Sequence, residues 1–365
     1  MLKVLLTCPG GKRGLIQFIE SALVQAGAEV RSFDTNYPAR SHGEGAIKLF
    51  NGIPLVGSRV AARLERRKRG LFASEFNAGL SQVINDWHPD IWLAVLSWAD
   101  STSRELLDRA SNLYRIGWLV DDPFLWDGGL AKLLGGFDRI YAVDGSWVWP
   151  IKLISGQPAS MLACGADPEL NYPLPPETIP VAFKSDISFV GTSYSGQPAG
   201  LVRRQVLSQV SDLGLSIFGD PGWLKPESAQ DPVPGCYKGG ELDATGVNLV
   251  YNSAAISLNI HHPQWRLGTS LRTFAIAASG AFQLLDYRPG LEEFFVPDKE
   301  VVTFSSATEL REKARYYLSN PSERARIAAA ALDRVRSEHT YLRRITQILN
   351  EAGALPRLGE VPVTA

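Results

Sequence analysis

A surplus of charge of either sign is the first thing this sequence lacks. Its 365 residues carry 37 lysines and arginines against 38 aspartates and glutamates, a formal net charge of -1. A chain so balanced has no global field to draw it to nucleic acid or to an anionic membrane. Cysteine is scarce too: Cys8, Cys164 and Cys236 stand far apart, with no C-x-x-C pair. An odd, scattered set excludes a disulfide framework and a structural zinc site built on cysteine. Long hydrophobic runs are also missing. The longest, Ile91 to Ala99, falls well short of the roughly 20 apolar residues of a membrane-spanning helix. Met1-Leu2-Lys3 runs straight into Val4-Leu5-Leu6, and reads as a first strand rather than a targeting segment. What is present is 45% hydrophobic and 21% charged residues, the composition expected of a soluble, cytoplasmic chain long enough for two domains.

Strand and helix patterns alternate. Residues 3–7 form an apolar strand, Cys8-Pro9-Gly10-Gly11-Lys12-Arg13-Gly14 a glycine-rich turn, and Leu15, Ile19, Ala22, Leu23 and Ala26 a helical stripe that stops at Gly27. Strands follow at 29–33, 91–96, 115–120 and 139–143, with helices at 72–87 and 101–112. Five prolines (Pro168, Pro173, Pro175, Pro176 and Pro180) make 167–180 a linker. The pattern then restarts, with strands at 186–190, 215–218, 255–259 and 281–285. Helices are expected at about 200–213, 270–279, 308–318, 321–336 and 341–352, the fourth capped by Asn320 with Pro321 at its first position. Such alternation gives an α/β protein with two doubly wound parallel sheets in tandem. The expected domains are 1–175 and 183–336, followed by a C-terminal helix at 337–352.

Several places carry chemistry. Gly11 and Gly14 fit a G-x-G-x-x-G dinucleotide turn whose first glycine is replaced by Pro9, and Asp34 stands 20 residues beyond Gly14. That turn makes an NAD(P)-dependent oxidoreductase one reading; the plainer one is a tight strand-helix connection. Gly191-Thr192 follows an apolar strand and Arg203-Arg204 enters the next helix. Amides, a hydroxyl and a guanidinium suit a diphosphate, although such arginines also simply face solvent. Asp121 and Asp122 end a strand before Pro123, placed either to serve as general base or to cap the turn. His261 and His262 are adjacent, a spacing that does not bring both to one metal ion. Of nine tryptophans, seven lie between Trp87 and Trp149, with Trp98, Trp126 and Trp147 as candidates to line a ligand cleft. Arg63, Arg66, Arg67, Lys68 and Arg69 form a basic run, either a solvated face or a seat for an anionic acceptor or membrane surface.

Five stretches then occur in order: Phe189-Val190-Gly191-Thr192, Gly219-Asp220-Pro221-Gly222-Trp223, Arg272 to Phe282, Asp286-Tyr287, and Glu338-His339-Thr340-Tyr341. Together they resemble the C-terminal half of the CgeB-like glycosyltransferases, over residues 183–350. The N-terminal half is similar only in outline, at Pro89-Asp90, Asp121-Asp122-Pro123 and Asp144. The resemblance implies a GT-B fold, two Rossmann-like domains facing across a cleft, with the last helix crossing back to the first domain. It implies a nucleoside diphosphate sugar as donor, UDP-sugar being expected, held by Gly191, Thr192, Arg203, Gly219, Trp223, His261, Arg272, Ser279 and Gly280. A small-molecule, glycan or peptide acceptor would lie at Gly10, Gly11, Trp98 and Trp126, with Asp121 or Asp122 catalytic. No cofactor and no metal are expected, because amides, hydroxyls and cations meet the charge of the leaving diphosphate.

One departure matters. The family places a glutamate five residues before the glycine of its helix motif, where it bonds the ribose; here that position is Ala275. A lost charged hydrogen bond costs about 1.5–3 kcal/mol of donor binding unless a group such as Glu292 or Glu293 substitutes. Ala275 therefore keeps a third reading open, a nucleotide-sugar-binding protein without catalysis. The sugar, the anomeric outcome and the oligomeric state are not written in the sequence.

Overall fold

The computed structural model describes residues 1–9, 14–35, 56–97, 100–125 and 129–353, with backbone alone at 56–66 and 69. Gly10, Gly11, Trp98 and Trp126, expected at an acceptor site, lie outside the described residues. The chain divides into two compact units, Met1–Ala142 with Trp147–Met161 and Ile348–Ala365, and Val143–Ser146 with Leu162–Gln347.

The first unit is a parallel sheet in the order β2-β1-β3-β4-β5-β6. Its strands are β1 (Lys3–Cys8), β2 (Glu29–Asp34), β3 (Ile91–Leu96), β4 (Tyr114–Leu119), β5 (Arg139–Ala142) and β6 (Ala159–Met161). Every residue of β3 is buried, because helices cover both faces of such a sheet and leave no side for polar residues. The helices are α1 (Leu15–Gln25), α2 (Val56–Trp87), α3 (Arg104–Arg109), α4 (Gly129–Leu133) and α5 (Val148–Ser155). The end of α1 comes where Gly27 takes φ 87°, a left-handed turn that costs glycine little. In contrast to the expected 72–87, α2 begins at Val56, so the basic run is helical. Trp147 is not a cleft residue but fully buried core, like Trp92 and Trp118.

The second unit repeats the plan in the order β12-β11-β10-β7-β8-β9, again parallel throughout. Here β7 (Ser185–Val190) is followed by α6 (Pro198–Ser208), β8 (Leu215–Phe218), β9 (Tyr237–Gly239), α7 (Ala244–Ser253) and β10 (Ala254–Asn259). Then come α8 (Leu271–Ala278), β11 (Gln283–Asp286), β12 (Val302–Phe304), α9 (Ala307–Ser319), α10 (Pro321–Glu338) and α11 (Tyr341–Glu351). Pro321 does open α10, but Asn320 does not cap it with its side chain; its amide donates back to Tyr316 O at 2.6 Å. α10 packs on α8. His339, at the end of α10, is buried among Phe274, Phe294 and Phe295.

Candidate functional site

In an open parallel sheet, ligands gather beyond the carboxyl ends of the strands where the order reverses. In the second unit β7 lies between β10 and β8, so that point is flanked by the loop after β7 (Gly191 to Tyr194) and the loop after β10 (Ile260 to Ser270). Arg203 ties the two loops together. From the first turns of α6 its guanidinium donates to Thr192 O at 2.7 Å and to Ile260 O at 2.9 Å, with the Phe189 and Tyr194 rings alongside. Burial, then the nearby charge of Arg272, pushes the guanidinium down to about 10. Arg204 points elsewhere, into an ion pair with Asp231 at 2.7 Å. Neither arginine is solvent-facing; Arg203 is 2% exposed.

The loop after β7 is fixed from below as well. Trp223, fully buried, donates from Nε1 to Gly191 O at 2.8 Å. Asp220 accepts from Ser193 N (2.6 Å), Ser193 Oγ (2.7 Å) and Gly222 N (2.9 Å). Burial works to raise the Asp220 carboxyl, yet these bonds outweigh it and hold the group below the ordinary carboxylate range. Gly219 is needed for space, since a Cβ there would sit 2.1 Å from Gly191 O. Tyr194 takes φ 48°, a left-handed conformation costly for a side chain of its size. Its ring packs on His262 at 4.8 Å. Burial, then Arg203, pushes His262 down to about 4.

Beneath α8 runs a polar seam. His261 Nδ1 lies 2.7 Å from Asp286 Oδ1, its Nε2 2.9 Å from Thr269 Oγ1, and Thr269 Oγ1 2.5 Å from Thr273 Oγ1, which accepts from Asn259 Nδ2 at 3.0 Å. Asp286 also pairs with Arg288 at 2.7 Å. Burial raises the Asp286 carboxyl, but His261 and Arg288 together bring it below its ordinary value. The His261 side chain is wholly buried, so it holds the loop and the helix start rather than facing a ligand. The loop's middle is held by Asp144, whose Oδ2 accepts from the amides of Arg266 (2.7 Å), Leu267 (3.0 Å) and Gly268 (3.0 Å).

At the mouth of this scaffold stands Arg272, in the first turn of α8 and half-buried. A Cβ on Gly191 would lie 3.4 Å from its Nη2. Among the described residues it has no carboxylate partner. Ser270, at the cap position of α8, has a buried hydroxyl with no hydrogen bond. The amide of Gly191 itself is committed to Phe218 O at 3.0 Å, so that residue contributes room rather than a donor. The chemistry offered is a free cation and the positive end of a helix, which suits a phosphate-bearing ligand.

Other expected residues are not gathered here. Ser279 is buried at the far end of α8, donating to Asn248 Oδ1 and Ala275 O, and a Cβ on Gly280 would lie 2.9 Å from the Pro173 ring. Ala275 packs with Tyr251, Ile276, Ala281, Val190 and Val247. Glu292 accepts from Tyr287 OH at the surface. In the first unit Asp122 is buried, with Oδ1 accepting from Phe124 N at 2.9 Å as a turn cap does, and Asp121 is half-buried. Reasoning from sequence missed Ser193 and the Thr269–Thr273 pair. Only the latter left a trace, an i, i+4 spacing of threonines at a helix start.

A family of glycosyl transferase-like domains matches residues 203–350. The spore protein CgeB of Bacillus subtilis (strain 168) is 33% identical over 91 residues, which are 22% of this chain and 27% of that protein. The match thus spans about a quarter of that relative's length. Among solved structures, sucrose-phosphate synthase from Thermosynechococcus elongatus superposes with a TM-score of 0.64 at 13% identity, over 97% of this chain and 100% of that one. HepE of Anabaena, in complex with UDP-glucose, gives 0.62 at 12% identity with the same coverage. The fold is GT-B. The matched family region begins at Arg203, beyond the Gly191–Thr192 loop, and the likeness to CgeB in particular rests on a short segment.

Proposed function

We propose that this chain is a glycosyltransferase that takes a sugar from a nucleoside diphosphate sugar, a UDP-sugar, and delivers it to a hydroxyl of a small-molecule, glycan or peptide acceptor. The observation that carries the reading is Arg272: a half-buried cation without a carboxylate partner among the described residues, beside Gly191 at the start of α8, at the switch point of the sheet. As the bond between the anomeric carbon and the diphosphate breaks, negative charge gathers on the leaving oxygens. Arg272, the Ser270 hydroxyl and the first amides of α8 are placed to meet it. Arg203, Trp223, Asp220 and His261 hold the two loops around that place. The UDP moiety is supported by HepE, solved with UDP-glucose on the same fold.

The proposed transfer uses no cofactor and no resident metal, and Asp121 or Asp122 stays as a proposed base. Among the described residues no group of three or more His, Cys, Asp or Glu is arranged to hold a metal ion. No helix among them is long and apolar enough to cross a membrane, and the three cysteines are buried and form no disulfide. Both facts are compatible with work in the cytoplasm.

Calorimetric titration with UDP, UDP-glucose and NAD tests the reading. UDP should bind, and Arg272→Ala should weaken it roughly 10- to 150-fold, the 1.5–3 kcal/mol of a charge-assisted hydrogen bond. Binding of NAD without UDP, or UDP binding indifferent to Arg272→Ala, would sink it. A second reading, binding without catalysis, is favoured by the apolar setting of Ala275. It predicts UDP binding but no UDP release from UDP-glucose with any acceptor.

A further inference from the structure

The amino edge of the second sheet carries an open cleft that nothing above uses. It has a volume of about 480 Å³ and lies where β7 and β10 begin, at the opposite edge from Gly191 and Arg272. Small-molecule pockets span roughly 300–1,000 Å³, so the size suits a compact ligand. Its walls are set by bonds already made. Asn252, at the end of α7, accepts from Leu174 N at 2.7 Å and donates to Tyr172 O at 3.1 Å, which pins the proline-rich linker beside the sheet. The amides of Phe183 and Lys184 bond Pro180 O (3.0 Å) and Val181 O (3.1 Å), and the Phe183 ring stacks on Phe218 at 6.0 Å.

Three groups in the cleft stay open. Lys184 and Asp186 are exposed and, among the described residues, close neither an ion pair nor a hydrogen bond. Arg324, the cation that bears on Asp186, is itself spent on Tyr317 O and Leu318 O. Ser185, between the two charges, has its Oγ shielded from solvent without a hydrogen bond. A shielded hydroxyl without a partner costs free energy, and rotation about χ1 moves it between wells, so a polar ligand gives it the partner it lacks. Pro176, Ile179 and Ala255 supply an apolar wall. The Ser253 hydroxyl donates to Val250 O at 2.8 Å and keeps its lone pairs as acceptors.

We propose that this cleft binds a small zwitterion, a free α-amino acid. Its carboxylate meets Lys184 and the Ser185 hydroxyl, its ammonium meets Asp186 and Ser253 Oγ, and its apolar side chain lies against Pro176 and Ile179. A divalent cation finds a single carboxylate there, too few charged oxygens to hold it. A phosphate meets Asp186 as well as Lys184 and gains from one while it is repelled by the other. A ligand of both signs uses every group. The inference stands apart from the glycosyltransferase reading, since neither the donor nor Arg272 enters it.

Backbone amide NMR of the full chain with L-leucine, L-leucinamide and 4-methylpentanoate is the test, at about pH 6, where the amines are charged and the carboxylates ionised. The second compound lacks the carboxylate and the third the ammonium. L-Leucine should shift the amides of 184–186 and 252–255, and each analogue should bind about two- to fivefold more weakly, the worth of one exposed ion pair. Lys184→Ala should erase the preference for leucine over leucinamide, and Asp186→Asn its preference over 4-methylpentanoate. Ser185→Ala is an independent arm: it removes an unpaired hydroxyl, so the free chain should melt no lower than wild type, while leucine binding weakens about fivefold. No shift of these amides by leucine overturns the proposal, as does leucine binding undiminished in all three variants. Binding of 4-methylpentanoate as tight as that of leucine also overturns it and leaves a site for anions alone.

Discussion

Replacing Arg203 separates two roles that this residue type plays equally well. If it contacts the donor, its loss weakens binding and leaves the fold alone. The geometry argues the opposite, because both arms of the guanidinium end on backbone carbonyls, Thr192 O at 2.7 Å and Ile260 O at 2.9 Å. Two hydrogen bonds from a cation are worth about 1.5–3 kcal/mol each, and the flanking rings of Phe189 and Tyr194 add about 1 kcal/mol. Against this stands the cost of burying the charge. The fall from 12.5 to about 10 corresponds to about 3 kcal/mol at 1.36 kcal/mol per unit. Arg203→Met should therefore destabilise the second unit by about 2 kcal/mol, a drop of about 4–8 °C in melting temperature for a unit of this size. Arg203→Lys, which reaches one carbonyl but not two, should fall about midway. Differential scanning calorimetry with and without UDP reads both effects. A methionine variant that melts within about 2 °C of wild type yet no longer binds UDP would refute this reasoning and return Arg203 to the donor.

Two further outcomes follow from the same unit. His339 donates from Nε2 to Phe294 O and accepts at Nδ1 from Arg344, which fixes it as neutral. Burial, then Arg344, pushes it from 6.5 down to about 4. Between those values the unfolded chain binds a proton that the folded one refuses, so stability holds above about pH 6.5 and falls by about 3 kcal/mol on the way to pH 4. Urea titrations across that range should show the loss, and because His262 is pushed down equally, His339→Gln should remove about half of the slope; an unchanged slope refutes the assignment. Asp144→Ala strips one carboxylate oxygen from three amides and should cost about 2–3 kcal/mol. Hydrogen exchange at residues 266–268 should accelerate, and protection equal to wild type would show that another acceptor holds the loop.

The core strands were legible because burial on both faces turns them into plain apolar runs: 91–96 and 215–218 agree with β3 and β8 to the residue. The three-residue strands β6, β9 and β12 carry no period to read, and each lies at or beside a sheet edge or short connection. α7, with Gly246, Asn248 and Asn252 in its ten residues, opposes helix propensity throughout and forms because Asp243 caps it and Asn248 and Asn252 bond Tyr172 O. α2 escaped notice over its first half because an arginine-rich stretch shows no apolar stripe.

The site was legible to the level of loops and not of side chains, for a physical reason. Gly191, His261 and Arg272 follow from strand ends and a helix start, which local pattern reveals. Whether an arginine turns to a ligand or to a carbonyl depends on which loop ends the neighbouring strand of the sheet, and that is a property of topology. Arg203 reads as a phosphate ligand until β10 is known to lie beside β7; then Ile260 O comes within its reach, and the residue becomes the tie between two loops. Arg272, one helix away, has no carboxylate partner among the described residues, and the carboxylate of that edge, Asp286, is already held by His261 and Arg288. The free cation is thus a product of how its neighbours pair. Had His261 been apolar, Asp286 would have one partner fewer and a reason to turn toward the cations of this edge, and the seat for an anion would be lost without any change to Arg272 itself.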